Sequence, residues 1–234
     1  MKVRFGKFVL LAASTALAVV GLAGPATAET SIIGGSNASS GPWAARLFVN
    51  GQQNCTATII APQYILTAKH CVSSPGTYTF RIGSLDQTSG GTTATGSTIT
   101  RYNGPADLAI VRLTTSVSAT YSPLGSVGDV AVGQNVSVYG WGATSRCGSE
   151  INCQSRYLKV ATVRVNSIGC SDYTGGVAVC ANRVNGITAG GDSGGPMFAS
   201  GRQVGVASTS DRSNNTAYTN ITRYRSWISS VAGV

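Results

Sequence analysis

The chain has 234 residues, of which 42% are hydrophobic and 11% charged, and its net charge is +9. This composition excludes a disordered protein, and the shortage of Glu and Lys excludes a coiled coil. The length suits one or two compact domains, while abundant Gly, Ser, Thr and β-branched residues favour an all-β fold.

The first element along the chain is predicted to be a secretory signal peptide covering residues 1–28. Three basic residues lie within the first seven positions, an apolar stretch spans residues 8–24, and an A-x-A cleavage motif ends at Ala28. The alternative is a membrane anchor, but the stretch is short and rich in Ala and Gly. We therefore expect a secreted, extracellular protein with no membrane contact once the signal peptide is removed.

Short β-like runs separated by Gly, Ser and Asn turns follow through most of the chain. They cover residues 43–49, 58–67, 79–83, 108–113, 134–140, 157–165, 177–181, 204–208 and 217–221. The Gly/Thr-rich stretch 89–97 is expected to form a solvated hairpin. Many short strands at this spacing predict a sandwich or barrels.

A single convincing helix is predicted at the C-terminal end. The apolar residues on its predicted inner face are Ile221, Tyr224, Trp227, Ile228 and Val231. An apolar face of this kind is expected to dock on the body of the protein.

The basic charge carries little functional information. Without residues 1–31 the chain has 14 basic and 7 acidic side chains, which are scattered rather than clustered. We expect no nucleic-acid binding, and we interpret the charge as a solubilising surface or as modest steering of anionic substrates. A basic, polymer-binding β protein remains an alternative.

Three separated residues form a candidate catalytic set. His70 is the only histidine of the chain, and Ser193 lies between glycines in the motif 191–196. Glycines around a serine allow a tight turn whose backbone N–H groups converge on a substrate oxygen. Asp107 begins an apolar strand, where a buried carboxylate can hold an imidazole in one tautomer.

These motifs resemble those of the chymotrypsin/trypsin family of serine peptidases. Ala-x-His-Cys at 68–71, Asp-Leu-Ala at 107–109, Gly-Trp-Gly at 140–142 and Gly-Asp-Ser-Gly-Gly-Pro at 191–196 occur in the family's order. The resemblance covers residues 32–234. It implies an all-β fold of two six-stranded antiparallel β-barrels, with the active site between them and a C-terminal helix.

The resemblance implies the family's general mechanism. Ser193 is then the nucleophile, His70 the general base, and Asp107 the residue that orients His70. The backbone N–H groups of Gly191 and Ser193 are implied as the oxyanion hole. This chemistry requires no cofactor, and Asp86 stands alone in its loop, so we expect no metal either.

The segment Ile32-Ile33-Gly34-Gly35 resembles the family's mature N-terminus, which leaves residues 29–31 as a short pro-segment. Cleavage before Ile32 would free an ammonium group that is expected to form a buried ion pair with Asp192. Trypsin-activated precursors carry Arg or Lys before this bond, whereas this chain has Ser31. A non-tryptic endopeptidase, an aminopeptidase or the enzyme itself would therefore remove the segment. A plain strand entry at Ile32 is the alternative.

Six cysteines in an exported chain imply disulfides, although the sequence alone does not select their pairing. The resemblance implies the pairs Cys55–Cys71, Cys147–Cys153 and Cys170–Cys180. It also implies one absence. Ala189 stands where the family has a Cys that joins the nucleophile loop to the pocket wall.

The resemblance places Ile187 at the floor of the specificity pocket, where trypsin has Asp. A buried Ile cannot pair with a cationic substrate side chain. Asp211 near the pocket wall is an alternative source of negative charge. The implied wall residues are Ser208, Thr209, Ser210 and Thr216. Larger wall residues than Gly favour small or medium aliphatic side chains, with aromatic residues or Leu as alternatives.

The same strand is implied to contact the triad and the substrate backbone. Ser208 is expected to hydrogen-bond Asp107, and the backbone of residues 208–210 is expected to pair with the substrate as an added strand.

Together these residues predict a secreted serine endopeptidase that cuts after apolar, aliphatic or aromatic, rather than basic residues. Its expected partners are polypeptide substrates and protein protease inhibitors, and we expect a monomer. The alternatives are a catalytically inactive relative that serves as a binding module, and a narrow-specificity esterase or regulatory protease.

Overall fold

The computed structural model of the protein describes residues 1–3 and 32–234. The predicted signal peptide and pro-segment, apart from the first three residues, lie outside the described residues. Within that part of the chain, no helix is both long and apolar enough to cross a membrane. The strands there are β1 Ser36–Asn37, β2 Ala44–Val49, β3 Gln52–Ala61, β4 Tyr64–Thr67, β5 Tyr78–Ile82, β6 Thr92–Arg101, β7 Ala109–Leu113, β8 Asn135–Gly140, β9 Lys159–Ser171, β10 Val177–Arg183, β11 Pro196–Ala199, β12 Arg202–Ser210 and β13 Asn215–Asn220.

The first six-stranded barrel is closed in the order β2-β3-β4-β7-β6-β5, with antiparallel pairing throughout. β5 illustrates why the sequence forms it. Tyr78, Phe80 and Ile82 are buried and alternate with the half-exposed Thr79 and Arg81. This period of two places one apolar face on the barrel core.

The second barrel follows the order β9-β10-β13-β12-β11-β8 and is closed by the pairing of β8 with β9, while β1 is added to the edge of β9. Its core contains the buried side chains of Val138, Val163, Val179, Met197 and Val204. The predicted pair of six-stranded antiparallel barrels is confirmed.

The C-terminal helix α1 spans Arg225–Ala232 and packs against the first barrel. Ile228 is fully buried there, and the ring of Trp227 lies edge-on to Tyr102 with centroids 5.5 Å apart. The predicted helix is therefore present, although the first turn of its apolar pattern, Ile221–Arg223, is a separate 3-10 turn.

The structure differs from the sequence pattern at several strand boundaries and in one short strand. The run 58–67 contains two strands, because Pro62 and Gln63 form the turn between β3 and β4. The stretch 89–97 is a hairpin tip only as far as Gly91, since β6 begins at Thr92 and belongs to the barrel. The short strand β11 was not predicted.

Three disulfides join the cysteines in the pairing implied by the resemblance: Cys55–Cys71, Cys147–Cys153 and Cys170–Cys180. Cys55 lies on β3, and Cys71 lies in the turn directly after His70. This bridge therefore ties the histidine-bearing turn to the first barrel.

Candidate active site

His70 and Asp107 meet at one end of the first barrel. His70 lies in the 3-10 turn Lys69–Val72 after β4, and Asp107 lies two residues before β7. Because β4 and β7 are antiparallel neighbours, the end of one strand adjoins the start of the other. His70 Nδ1 lies 2.7 Å from Asp107 Oδ2, and the backbone N–H of His70 donates to Asp107 Oδ1 at 2.9 Å.

Asp107 is fully buried, and it is held as a carboxylate by its hydrogen bonds. Burial raises its pKa, but hydrogen bonds from His70 and from Ser208 outweigh that effect, so the pKa lies below its usual value. Ser208 Oγ donates to Asp107 Oδ2 at 2.6 Å. An ionised Asp107 keeps the proton of a neutral His70 on Nδ1, which leaves Nε2 free to accept one.

Ser193 lies in the tight turn that precedes β11. The turn requires glycine at Gly194, whose φ is +80°, because a Cβ there would collide with Thr67 Oγ1 and the carbonyl of Thr56. The N–H of Thr56 donates to the Ser193 carbonyl at 2.9 Å and so links the first barrel to this turn. Ser193 and His70 line the same cavity, which has a volume of about 310 Å³.

No hydrogen bond joins Ser193 Oγ to His70 Nε2 within the described residues. Hydrogen bonds of this kind are often long in free enzymes and shorten when substrate binds.

Two backbone N–H groups in the nucleophile turn have no acceptor in the part of the chain that the structure describes. Among the described residues, the N–H groups of Gly191 and Ser193 have no hydrogen-bond acceptor. The Gly191 carbonyl is fixed on the opposite side, where it accepts from Thr56 Oγ1 at 2.8 Å and from Arg46 Nη1 at 3.3 Å. The orientation of this loop is therefore set by its contacts with Thr56 and Arg46 of the first barrel. The free donors are available to a developing oxyanion.

Asp192 is completely buried next to these donors. Its carboxylate accepts the N–H of Gly142 at 2.7 Å and the N–H of Ala189 at 2.9 Å. Burial raises the pKa of Asp192 to about 7, although these hydrogen bonds and the positive charge of Arg46 oppose the rise. In this structure the carboxylate has no ion-pair partner within 4 Å among the described residues.

Ile32 is fully buried in the core of the second barrel. The next residue, Ile33, forms an antiparallel bridge to Ile187, whose N–H donates to the Ile33 carbonyl at 3.0 Å. The segment after the expected cleavage point is thus attached to the loop that leads to Asp192.

Known proteins are similar to this chain in sequence and in fold. A family model described as Trypsin matches residues 32–228. Trypsin alpha of Drosophila melanogaster is 31% identical over 230 residues, covering 86% of this chain and 87% of the relative. Trypsin delta of the same fly is 30% identical over 251 residues, covering 97% and 99%. The chain belongs to the trypsin family. It is therefore a serine endopeptidase with the chymotrypsin fold.

Solved structures agree on this fold. Human heparin binding protein has a TM-score of 0.73 at 25% identity, covering 86% of this chain and 96% of its own. Neuropsin, a serine protease of mouse brain, has a TM-score of 0.67 at 25% identity, covering 81% and 94%. An inactivated protease paralogue of the scabies mite has a TM-score of 0.75 at 21% identity, covering 86% and 97%, and this likeness shows the fold alone.

The cavity beside the triad differs from the pocket that the family alignment implied. Thr209 and Ser210 line it as expected, but Ile187 and Thr216 do not. Ile187 is fully buried and its backbone pairs with that of Ile33, so its role as the pocket floor stays a prediction. Thr188 lines the cavity and is hydrogen-bonded to Thr216, with 2.7 Å between the two hydroxyls.

Asp211 does not supply charge to this pocket. Its Oδ1 accepts the N–H groups of Ser213, Asn214 and Asn215 at 2.8–2.9 Å, so the carboxylate caps its own loop. Arg212, which sequence reasoning did not single out, lines the pocket instead. Its Nη1 donates to the carbonyl of Ser210 at 2.7 Å. This carbonyl, on the stretch expected to pair with substrate, retains one lone pair for a substrate N–H.

A second buried carboxylate, that of Asp172, holds the backbone of Asp107 in position. Asp172 Oδ2 accepts the backbone N–H of Asp107 at 2.9 Å and the hydroxyl of Thr219 at 2.8 Å. The next residue, Tyr173, donates its N–H to Ser208 Oγ at 3.0 Å, and its ring centroid lies 6.1 Å from that of His70. No motif marks these two residues. Their only sequence signal is a position within the loop closed by Cys170 and Cys180.

One cluster has the composition of a metal site. The side-chain atoms of Cys55, His70 and Cys71 lie within 4.8 Å of one another. Both sulfurs are joined in a disulfide, so neither is available as a thiolate ligand.

Proposed function

We propose that the protein is a secreted endopeptidase that hydrolyses peptide bonds through an acyl-enzyme on Ser193. The observation that carries this proposal is a single cavity lined by Ser193 and His70, with Asp107 hydrogen-bonded to His70 and with free N–H groups at Gly191 and Ser193 in the adjoining turn. Three of the groups that acyl transfer needs, namely a nucleophile, a base and an oxyanion site, therefore converge on one volume.

The residues then act in sequence. Ser193 Oγ attacks the scissile carbonyl while His70 Nε2 takes its proton, and the N–H groups of Gly191 and Ser193 receive the oxyanion. The protonated His70, stabilised by Asp107, returns the proton to the leaving amine. Water then repeats these steps on the acyl-enzyme and releases the new carboxyl end.

Activation is proposed to follow cleavage before Ile32. The freed ammonium would give the buried Asp192 carboxylate the ion-pair partner that it lacks. The bridge between Ile33 and Ile187 supports this proposal, because it holds the new end of the chain next to the nucleophile loop.

The proposed preference is for uncharged, mainly apolar side chains before the scissile bond rather than basic ones. Asp192 is the only acidic residue among the described residues that line the pocket, and its carboxylate is fully buried and already accepts two backbone N–H groups. Arg212 at the pocket wall is already paired with Glu150, so this wall offers a basic substrate side chain no free carboxylate. The methyl groups of Thr188 and Ala207 and the hydroxyl of Thr188 suit small or medium side chains instead.

The proposed location is extracellular, on the basis of the predicted signal peptide. Polypeptides are the substrates, protein protease inhibitors are further partners, and the working unit is a monomer. No cofactor takes part in the proposed steps.

The experiment is to map cleavage sites by mass spectrometry in a diverse peptide mixture, using protein that starts at Ile32 and its Ser193→Ala variant. We expect cuts after apolar residues that the variant abolishes, with a rate loss of several orders of magnitude and an intact fold. Cuts after Arg or Lys would refute the pocket assignment but keep the mechanism. No cuts by the wild type would favour a catalytically inactive member of the family.

A further inference from the structure

Glu150 lies outside the pocket but close behind it. It begins the 3-10 turn Glu150–Cys153, in the long loop between β8 and β9. The disulfide Cys147–Cys153 spans this turn and fixes the position from which Glu150 extends. Glu150 is also the only glutamate between residues 32 and 234.

The carboxylate of Glu150 joins two segments that border the reaction centre. Its Oε2 accepts the N–H of Gly190, next to the oxyanion donor Gly191, at 2.7 Å. Both of its oxygens also receive the guanidinium of Arg212, with Nε to Oε1 at 2.9 Å and Nη2 to Oε2 at 3.0 Å. Planar, two-point contacts of this kind are the strongest form of an Arg–carboxylate pair.

Arg212 is held at the pocket wall by its own backbone as well. Its φ is +56°, in the left-handed region, and its N–H donates to Ser210 Oγ at 3.0 Å. Since Nη1 also contacts the Ser210 carbonyl, the guanidinium has little freedom to leave the wall. Among the described residues, Glu150 is the only acid that pairs with this cation.

We propose that Glu150 is a specificity-determining residue that sets the charge preference of the pocket by neutralising Arg212. The inference rests on the proposed peptidase function. A lone guanidinium in the wall would attract an acidic substrate side chain, whereas the paired guanidinium offers no net charge. The intact pair therefore lets an uncharged side chain compete, and loss of the pair converts the pocket to one that selects Glu or Asp.

The variant Glu150→Gln isolates the charge. The amide has the same shape, and its oxygen can still accept the N–H of Gly190, so the contact next to the oxyanion donor is retained. Its NH₂ group cannot pair with Arg212, which is then left as an uncompensated cation at the pocket wall.

The measurement is the ratio of kcat/KM for two peptides that differ only in Glu or Gln before the scissile bond. We expect Glu150→Gln to raise this ratio about tenfold, the scale of one partly exposed charge interaction. Arg212→Gln should lower the ratio, and the double variant should return it to the wild-type value. The matched control is Asp86→Asn, which breaks the other carboxylate–Arg pair, Asp86–Arg156, away from the site.

Two results would overturn the inference. A ratio that stays constant in Glu150→Gln, with both peptides slowed equally, would make Glu150 a structural residue only. A wild type that already prefers the Glu peptide would show that the pair does not neutralise the pocket. If no form cuts either peptide, the proposed function fails separately, and the same ratios are then measured as binding affinities of the two peptides.

Discussion

The buried carboxylate of Asp192 makes the stability of the unprocessed chain depend on pH. Burial raises its pKa from 3.8 to about 7 while Ile32 is still bonded to Ser31. The folded state then binds this proton more tightly than the unfolded state does. The stabilisation is therefore complete below about pH 4, and it is lost as the pH rises towards 7.

The size of the effect follows from the shift. A difference of about 3 pKa units corresponds to about 4 kcal/mol of unfolding free energy lost across this window. Since Asp192 is fully buried, solvent screening does not reduce this figure substantially. After cleavage, the Ile32 ammonium would hold the carboxylate in its charged form, so a chain that starts at Ile32 should not show the loss.

The assay compares two proteins in the Ser193→Ala background, which prevents self-cleavage. One retains residues 29–31, and the other is released from a fusion so that it starts at Ile32. Denaturant unfolding is measured from pH 4.5 to 7.5, and only the longer chain should lose stability. The nearby charges of Arg46 and Glu150 are common to both chains and cancel in the comparison. Equal slopes in the two chains would refute the pairing of Ile32 with Asp192.

Two further substitutions test the supports of the site. Gly194→Ala should cost at least about 3 kcal/mol of stability in thermal unfolding, because its Cβ would collide with Thr67 and Thr56. The control is Gly201→Ala, where φ is a similar +77° but no atom lies within 4 Å of the added Cβ. This control should cost only about 1–2 kcal/mol. Equal costs would mean that backbone strain alone matters. Asp172→Ala should lower kcat about tenfold and stability by about 2 kcal/mol, since the buried N–H of Asp107 loses its acceptor. Asp129→Ala, which removes a carboxylate from an exposed turn, is its control, and an equal effect of both would contradict a positioning role for Asp172.

Local signals in the sequence were enough to predict an all-β sandwich or barrels and the catalytic candidates, whereas the two six-stranded barrels were implied by the family resemblance. Period-two alternation marks strands such as β5 wherever one face is buried, and the glycines around Ser193 mark a turn that only glycine can form. His70 was identifiable because it is the only histidine and lies in a recognisable motif. The short strand β11 was not predicted, because four residues carry too little pattern. The boundary between β3 and β4 was missed, because the turn at Pro62 interrupts an apolar run.

The pocket could not be predicted in the same way, because its shape depends on contacts between distant segments. The resemblance placed Ile187 at the pocket floor, but the surroundings of this residue depend on pairing with Ile33, more than 150 residues earlier. Asp172 escaped notice for a similar reason. Its role depends on a hydrogen bond to Asp107, 65 residues away, and no local pattern encodes that contact.

The same argument explains how the pocket wall is held without the family's cross-link. Ala189 removes a covalent bridge between the nucleophile loop and the wall, yet Glu150 connects the same two regions through Gly190 and Arg212. A disulfide carries no charge, whereas an ion pair places a cation in the pocket wall and its neutralising partner behind it. With the ion pair in place of the disulfide, the same residue, Glu150, both holds the pocket wall and sets the charge of the wall. A change at Glu150 should alter substrate choice, which a change at a purely covalent link would not do.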